Sequence, residues 1–265
     1  MSTARAQTLT SVPDELEALL KAHIPTSLPV LRRVQSAKYE KRMSSGARIV
    51  LVSEDAATDS QPEKFTVAFV DYAGGPDTQM WLYSTLEDDD DGDGDKASDK
   101  VYREQLEVLV RELVRLNLEY GKETAYPGTM LLGTLNTRVR RILEGMNRIQ
   151  PRPTDYYNKW LFRAEALPQR DGELPEGMTW DTATLADCEV VAARTDIPRT
   201  PYVDETLSHG DLMCAYILAR TLLLTLPNQI IRHEDGTPIS WAFLGPDGAL
   251  ISLHCEVGMG KYQEN

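Results

Sequence analysis

Cysteine and histidine are scarce in this 265-residue chain. Its three cysteines, Cys188, Cys214 and Cys255, are scattered and stand in no metal-ligand spacing. An odd, dispersed set of thiols argues against a disulfide framework and reads as the reduced cysteines of a cytoplasmic protein. The four histidines, His23, His209, His233 and His254, form no pair at helical spacing, so no metal site is expected. Basic charge is also short, with 28 Lys and Arg against 41 Asp and Glu and a formal net charge of −13. That balance argues against non-specific nucleic-acid binding and against docking on anionic membranes, both of which favour basic patches. No apolar run reaches the roughly 18–20 residues of a membrane span. The longest patch, Leu212 to Leu226, is broken by Arg220 and threonines. Met1 to Thr10 is polar and lacks the apolar segment of a signal peptide.

What is present is a 42% hydrophobic content, adequate for a packed core in one large domain or two modest ones. Ser11 is a plausible cap for a short helix that starts at Val12-Pro13-Asp14, with Leu16, Leu19 and Leu20 as its apolar stripe. A second helix is expected over Leu28 to Met43, with Leu31 and Val34 inward and a solvated basic face of Arg32, Arg33, Lys38, Lys41 and Arg42. Ile49–Val52, Phe65–Val70 and Met80–Tyr83 read as a β-meander, the last strand entered through a Gly74-Gly75-Pro76-Asp77 turn. Residues 87–99 form an acidic loop. Its Asp89-x-Asp91-x-Asp93-Gly94 run opens like a calcium loop, but Lys100 stands where the bidentate Glu would be, so a self-repelling acidic segment is the preferred reading. Val101 to Tyr120 is the clearest amphipathic helix, with Leu106, Leu109, Val110, Leu113, Leu116 and Leu118 in its stripe and Gly121 as its stop. A further helix is expected over Thr129 to Met146, and an aromatic-rich strand over Tyr156 to Leu167. The polar segment Pro168 to Gly177 is the expected linker between domains 1–167 and 178–265. Met178–Trp180 reads as a strand, Cys188–Ala193 as strand or helix, and Tyr202–Ser208 and Asp211–Leu226 as helices.

The chain then turns to a second meander. Asp235-Gly236 and Gly245-Pro246-Asp247-Gly248 are turn chemistry separating strands at roughly 228–234, 238–244 and 249–255. Ile239, Trp241 and Phe243 share one face of the middle strand. Asp-Gly-Thr-Pro-Ile-Ser-Trp-Ala-Phe-Leu (235–244), followed by Asp-Gly-Ala-Leu-Ile-Ser-Leu-His (247–254), resembles the central meander of the glycine N-acyltransferase-like branch of the GNAT acyl-CoA N-acyltransferases. That branch writes Gly-x-Pro-Val-Ser-Trp, then Gly and the strand that holds the acyl thioester. It also has two tandem halves, the first degenerate, and the order of elements here is similar.

The resemblance implies an α/β (α+β) fold with a mixed sheet and helix-flanked meanders, and acyl transfer from acetyl-CoA or another acyl-CoA to a small-molecule amine. It implies no metal. Leu253, His254 and Cys255 would offer strand backbone to the thioester carbonyl as an oxyanion hole does. The pyrophosphate loop would follow, but Gly258-x-Gly260-Lys261 is at most its remnant. The family's base resembles a Glu after the second turn's Gly, where this chain has Ala249; Glu256 and His254 are the nearest replacements by type. The chain is therefore expected to be shortened within its second half, leaving an open sheet edge through which a homodimer could form. A non-catalytic interaction or regulatory module retaining the fold is the alternative, and a calcium-responsive module on the acidic loop a third reading.

Overall fold

The computed structural model describes residues 4–39, 43–54, 62–73, 79–88, 96–124, 127–150, 158–166, 173–194 and 226–256. The chain divides into two units, Met1–Leu161 and Phe162–Asn265.

The first unit carries β1 (Arg5–Leu9), β2 (Ala47–Ser53), β3 (Phe65–Asp71), β4 (Met80–Ser84) and β5 (Leu132–Gly133), hydrogen-bonded in that order. The first three pairings are antiparallel, and β4 pairs with β5 in parallel, Met80 opposite Leu132. Alternation along β2, β3 and β4 divides their side chains between two cores. Ile49, Phe65, Val67, Phe69 and Tyr83 pack with leucines and valines of α1 (Asp14–Ala22) and α2 (Leu28–Tyr39). Val50, Ala68, Val70, Met80 and Leu82 pack with α3 (Lys96–Tyr120) and α4 (Thr137–Gly145). Helices on both faces leave every residue of β3 and β4 buried, which is why these strands read as continuous apolar runs. The polar residues inside are paired. Thr66 Oγ1 donates to Gln105 Oε1 at 2.9 Å, and Gln105 Nε2 donates to the Lys64 carbonyl at 3.0 Å. Buried Glu17 accepts from Gln35, Lys38 and Tyr39 and pairs with Lys21 at 2.7 Å.

Several expectations for this unit are corrected. No side chain caps α1; Pro13 holds the N-cap position in extended conformation, and Ser11 does not. Helix α2 is described over Leu28–Tyr39, and Met43, its expected end, is not helical. Arg33 is not on a solvated face: it is 7% exposed, with its guanidinium 4.2 Å from the Phe69 ring centroid. Leu118 is 76% exposed, outside the buried stripe of α3. The helix expected from Thr129 begins only at Thr137, where the Asn136 side chain accepts from the Arg138 amide. Ahead of it the backbone is set by Gly128 and Thr134, both at positive φ, and by the β5 pairing. Across 158–166 there is no strand, only a 3-10 turn at Ala164–Ala166, because no neighbouring strand pairs with the segment, and Trp160 and Phe162 are exposed. The polar N-terminus, for which no element was expected, supplies β1. The Gly74–Asp77 turn and Asp89, Asp91 and Asp93 lie outside the described residues.

The second unit carries β6 (Met178–Asp181), α5 (Leu185–Arg194), β7 (Asn228–His233), β8 (Pro238–Leu244) and β9 (Leu250–Cys255). Its strands form an antiparallel sheet in the order β6-β7-β8-β9. Gly236 and Gly248 take positive φ in the two connecting turns, as Asp-Gly turns require. Ile239, Trp241 and Phe243 are all buried, and Cys188 and Val191 of α5 pack in the core with Trp241 and Phe243. The undecided segment at Cys188 is thus helical. Thr184 and Asp187 cap its start reciprocally, the Thr184 amide donating to Asp187 Oδ2 at 2.6 Å. The helices expected over Tyr202–Ser208 and Asp211–Leu226 lie outside the described residues up to residue 225. Among the described residues no helix is long and apolar enough to cross a membrane.

Arg232 staples this unit. Its guanidinium donates to both Asp187 oxygens, at 2.6 and 2.8 Å, to Asp181 Oδ2 at 2.5 Å and to the Thr182 carbonyl at 3.2 Å. Arg232, with the Thr184 hydrogen bonds, holds the Asp187 carboxyl at about 2. A carboxylate depressed in the folded state stabilises it above the unfolded value, and that stability is lost as pH falls from about 4 to about 2. The pH-dependent part is on the order of 2 kcal/mol. Asp187→Asn should therefore lower the urea midpoint at pH 7, and the gap to wild type should narrow as pH falls through that window. A gap independent of pH would refute this role for the ion pair.

Candidate functional site

The C-terminal end of β9 brings Leu253, His254, Cys255 and Glu256 together. Pairing with β8 slips there: Trp241 faces His254, yet Phe243 faces Ile251. Three steps on β9 span two on β8, so β9 bulges near residues 252 and 253. A bulge leaves backbone groups outside the ladder and re-aims a side chain. Leu253 is 67% exposed at this point. The flanking backbone is pinned, with Ser240 Oγ donating to the His254 carbonyl at 2.9 Å and the Glu256 amide to the Ile239 carbonyl at 2.9 Å.

The His254 ring stacks on Trp241, centroids 4.5 Å apart and planes 22° off parallel. Its Nε2 is buried and has no hydrogen-bond partner among the described residues. Glu256 Oε1 lies 3.7 Å away, beyond hydrogen-bond length. That oxygen instead accepts from Arg194 Nε at 2.8 Å. The Arg194 guanidinium first, and then His254, holds the Glu256 carboxyl below the usual carboxylate range. Cys255 is a half-buried free thiol. Ala249 brings no carboxylate to the turn before β9; its amide donates to Asp247 Oδ1 at 3.2 Å. Gly258 and Gly260 lie outside the described residues.

The arrangement is a bulged strand beside an aromatic platform, an orphaned imidazole nitrogen and an ion-paired carboxylate. It can present backbone to a carbonyl and a basic nitrogen to a proton. Glu256 paired with Arg194 is a weak base, because catalysis by proton transfer favours a pKa near the working pH. Sequence reasoning missed Arg194, whose position at the last turn of α5 carries no signal of its partner. It placed Trp241 on one face of the middle strand with Ile239 and Phe243 but not against His254.

The first unit holds a cavity of about 1100 Å³ that includes none of the anticipated site residues. Met80 and Leu82 of β4, Leu109 and Leu113 of α3 and Leu132 of β5 contribute apolar wall. Glu87 also lines it, accepting from the Ser84 amide at 3.1 Å, and burial pushes its carboxyl up to about 8.

Two helix-flanked sheets with antiparallel meanders define an α+β protein of acyl-CoA N-acyltransferase-like fold. Residues 3–160 match the model of the acyl-CoA N-acyltransferase verG N-terminal domain, and the chain belongs to that family. An X-ray structure of a Drosophila protein is similar at 13% identity and a TM-score of 0.48, over 98% of this chain and 80% of that chain, a likeness too loose to bear on the site. No curated protein matches the chain.

The ion pair at the β9 end makes a direct test possible. With Arg194→Gln, carboxyl NMR should show Glu256 titrating higher, back toward the ordinary carboxylate range. An unmoved titration would mean that Arg194 does not set the charge at this site.

Proposed function

We propose that this chain is an acyl-CoA-dependent N-acyltransferase of the glycine N-acyltransferase-like branch, acting on a small-molecule amine. The observation that carries this reading is the β9 bulge beside the Trp241–His254 stack, inside the stretch whose turns and Ser-Trp pair resemble that branch. Family membership over residues 3–160 supports acyl-CoA as the co-substrate. In this reading the backbone at Leu253, His254 and Cys255 receives the thioester carbonyl, and Gly258 and Gly260 offer backbone to the pyrophosphate. The amine nitrogen attacks the carbonyl carbon, a C–N bond forms and the C–S bond breaks. The ammonium proton passes to His254 or Glu256, directly or through water, and the leaving thiolate takes a proton. The buried Nε2 of His254, without a hydrogen-bond partner among the described residues, fits a partner that arrives with substrate.

A second reading is a non-catalytic interaction module that keeps the fold. It is favoured by the Arg194 pairing that weakens Glu256 as a base, and by exposed Leu250 and Leu253 on β9, the terminal strand of the described sheet. A homodimer would form through that edge.

Calorimetry with acetyl-CoA on the full chain, beside a thermal melt, separates the two. The enzyme reading expects saturable binding with a rise in Tm. It also expects Glu256→Gln or His254→Ala to retain binding while lowering turnover by about 10²–10⁴-fold. A cooperatively melting chain that binds no acyl-CoA and sediments as a dimer would overturn it in favour of the interaction module.

A further inference from the structure

The cavity of the first unit has a charge pattern unlike the rest of the chain. Its charged lining comprises Arg140, Arg148 and Lys159 against Glu87 alone, in a protein of net charge −13. Arg140 Nε is occupied by Glu144 at 2.7 Å. Among the described residues no carboxylate forms a close ion pair with Arg148 or Lys159, and Lys159 acts only at longer range on Glu87. Burial pushes the Glu87 carboxyl up to about 8, which weakens it as a counter-ion near neutral pH.

Much of the remaining lining is apolar, beside polar positions that include Thr26, Asn117, Thr129, Asn136 and Gln150. Val110 and Leu113 of α3 face the cavity together with Met80, Leu82 and Leu132. Val114 and Leu118 extend the apolar lining to exposed positions, at 57% and 76%. At about 1100 Å³ the space is slightly larger than most small-molecule sites, which span roughly 300–1,000 Å³. Apolar walls of this length ask for a chain, and surplus cations ask for an anion.

We propose that this cavity binds an aliphatic carboxylate, its chain between α3 and the β4–β5 strands and its carboxylate among Arg148 and Lys159. The site is separate from the acyl-transfer centre proposed on β9, and neither reading depends on the other.

The test is calorimetric titration of the full chain with dodecanoate, dodecylamine and dodecanol, each below its micelle concentration. Dodecanoate should saturate a single site and bind at least tenfold more tightly than the other two. Filling the cavity with Val110→Trp should weaken dodecanoate at least tenfold. Val114→Trp, at an exposed position, serves the same purpose if the first variant fails to fold. The Arg148→Gln, Lys159→Gln double variant should bring dodecanoate down to the level of dodecanol. Dodecylamine or dodecanol binding as well as dodecanoate, dodecanoate binding unmoved by a folded Trp variant, or no saturable binding would each overturn the proposal. Acetyl-CoA binding measured on the same variants keeps the outcome distinct from that of the β9 site.

Discussion

The first unit rests on burying β3 and β4 from both sides. Each side chain of Phe65–Asp71 and Met80–Ser84 meets a helical layer, so each backbone and polar group there must find a partner inside the protein. This is why Thr66, Gln105 and the Lys64 carbonyl form one network, and why Tyr83, buried to 1%, reaches Asp88 through its hydroxyl at 2.6 Å. The same double burial requires Arg33 to lie over Phe69 and Trp81, where ring faces offset the loss of water around its charge. It also fixes where a cavity can open. Beside the two-residue β5, Leu132 contributes wall to the cavity together with Leu109 and Leu113 of α3.

In the second unit the core among the described residues centres on Ile230, Trp241, Phe243 and the buried face of α5. Ion pairs tie its described elements together. Arg232 reaches β6, the start of α5 and the β7–β8 turn through Asp181, Asp187 and the Gly236 carbonyl. Arg194 then ties the far end of α5 to the end of β9 through Glu256. The helix is thus held at both ends by guanidinium–carboxylate pairs, and the second pair falls on Glu256, one of the two bases in the proposed reading. A carboxylate cannot both complete a strong ion pair and act as an effective base. His254 is left as the group whose basic nitrogen has no competing partner within the described residues.

Much of this fold was legible because it follows simple periods. The strands at Ile49, Phe65 and Met80, the helix ending at Gly121 and the meander after Pro227 were all read near their observed bounds. What escaped was set by partners distant in sequence. Strand β1 is polar and lies at the sheet edge, so Arg5–Leu9 carries no apolar alternation; only its pairing with β2 makes it a strand. Leu132 and Leu135 continue the helical period of α4, yet positive φ at Thr134 breaks the helix. Trp160 and Phe162 have strand composition without a neighbouring strand. At the site, Leu253 to Glu256 were legible as one strand end. Arg194 was not, because its partner lies 62 residues away.

The family match and the motif resemblance fall on different units, and this bears on how function is divided. The match covers residues 3–160, while the Ser-Trp stretch and β9 lie in the other unit. Both units repeat one order: a strand, helix, then an antiparallel three-strand meander. The two meanders end in different chemistry. β4 runs into Glu87 and Asp88 and a sequence of further acids, a poor setting for a pyrophosphate. β9 ends in a bulge, an imidazole and one ion-paired carboxylate, with no comparable run of acids after it. On the proposed reading, the acids after β4 make β9 the better placed of the two strands for a CoA thioester. It leaves the first unit, whose β4 region carries the large cavity, available for a ligand without a diphosphate.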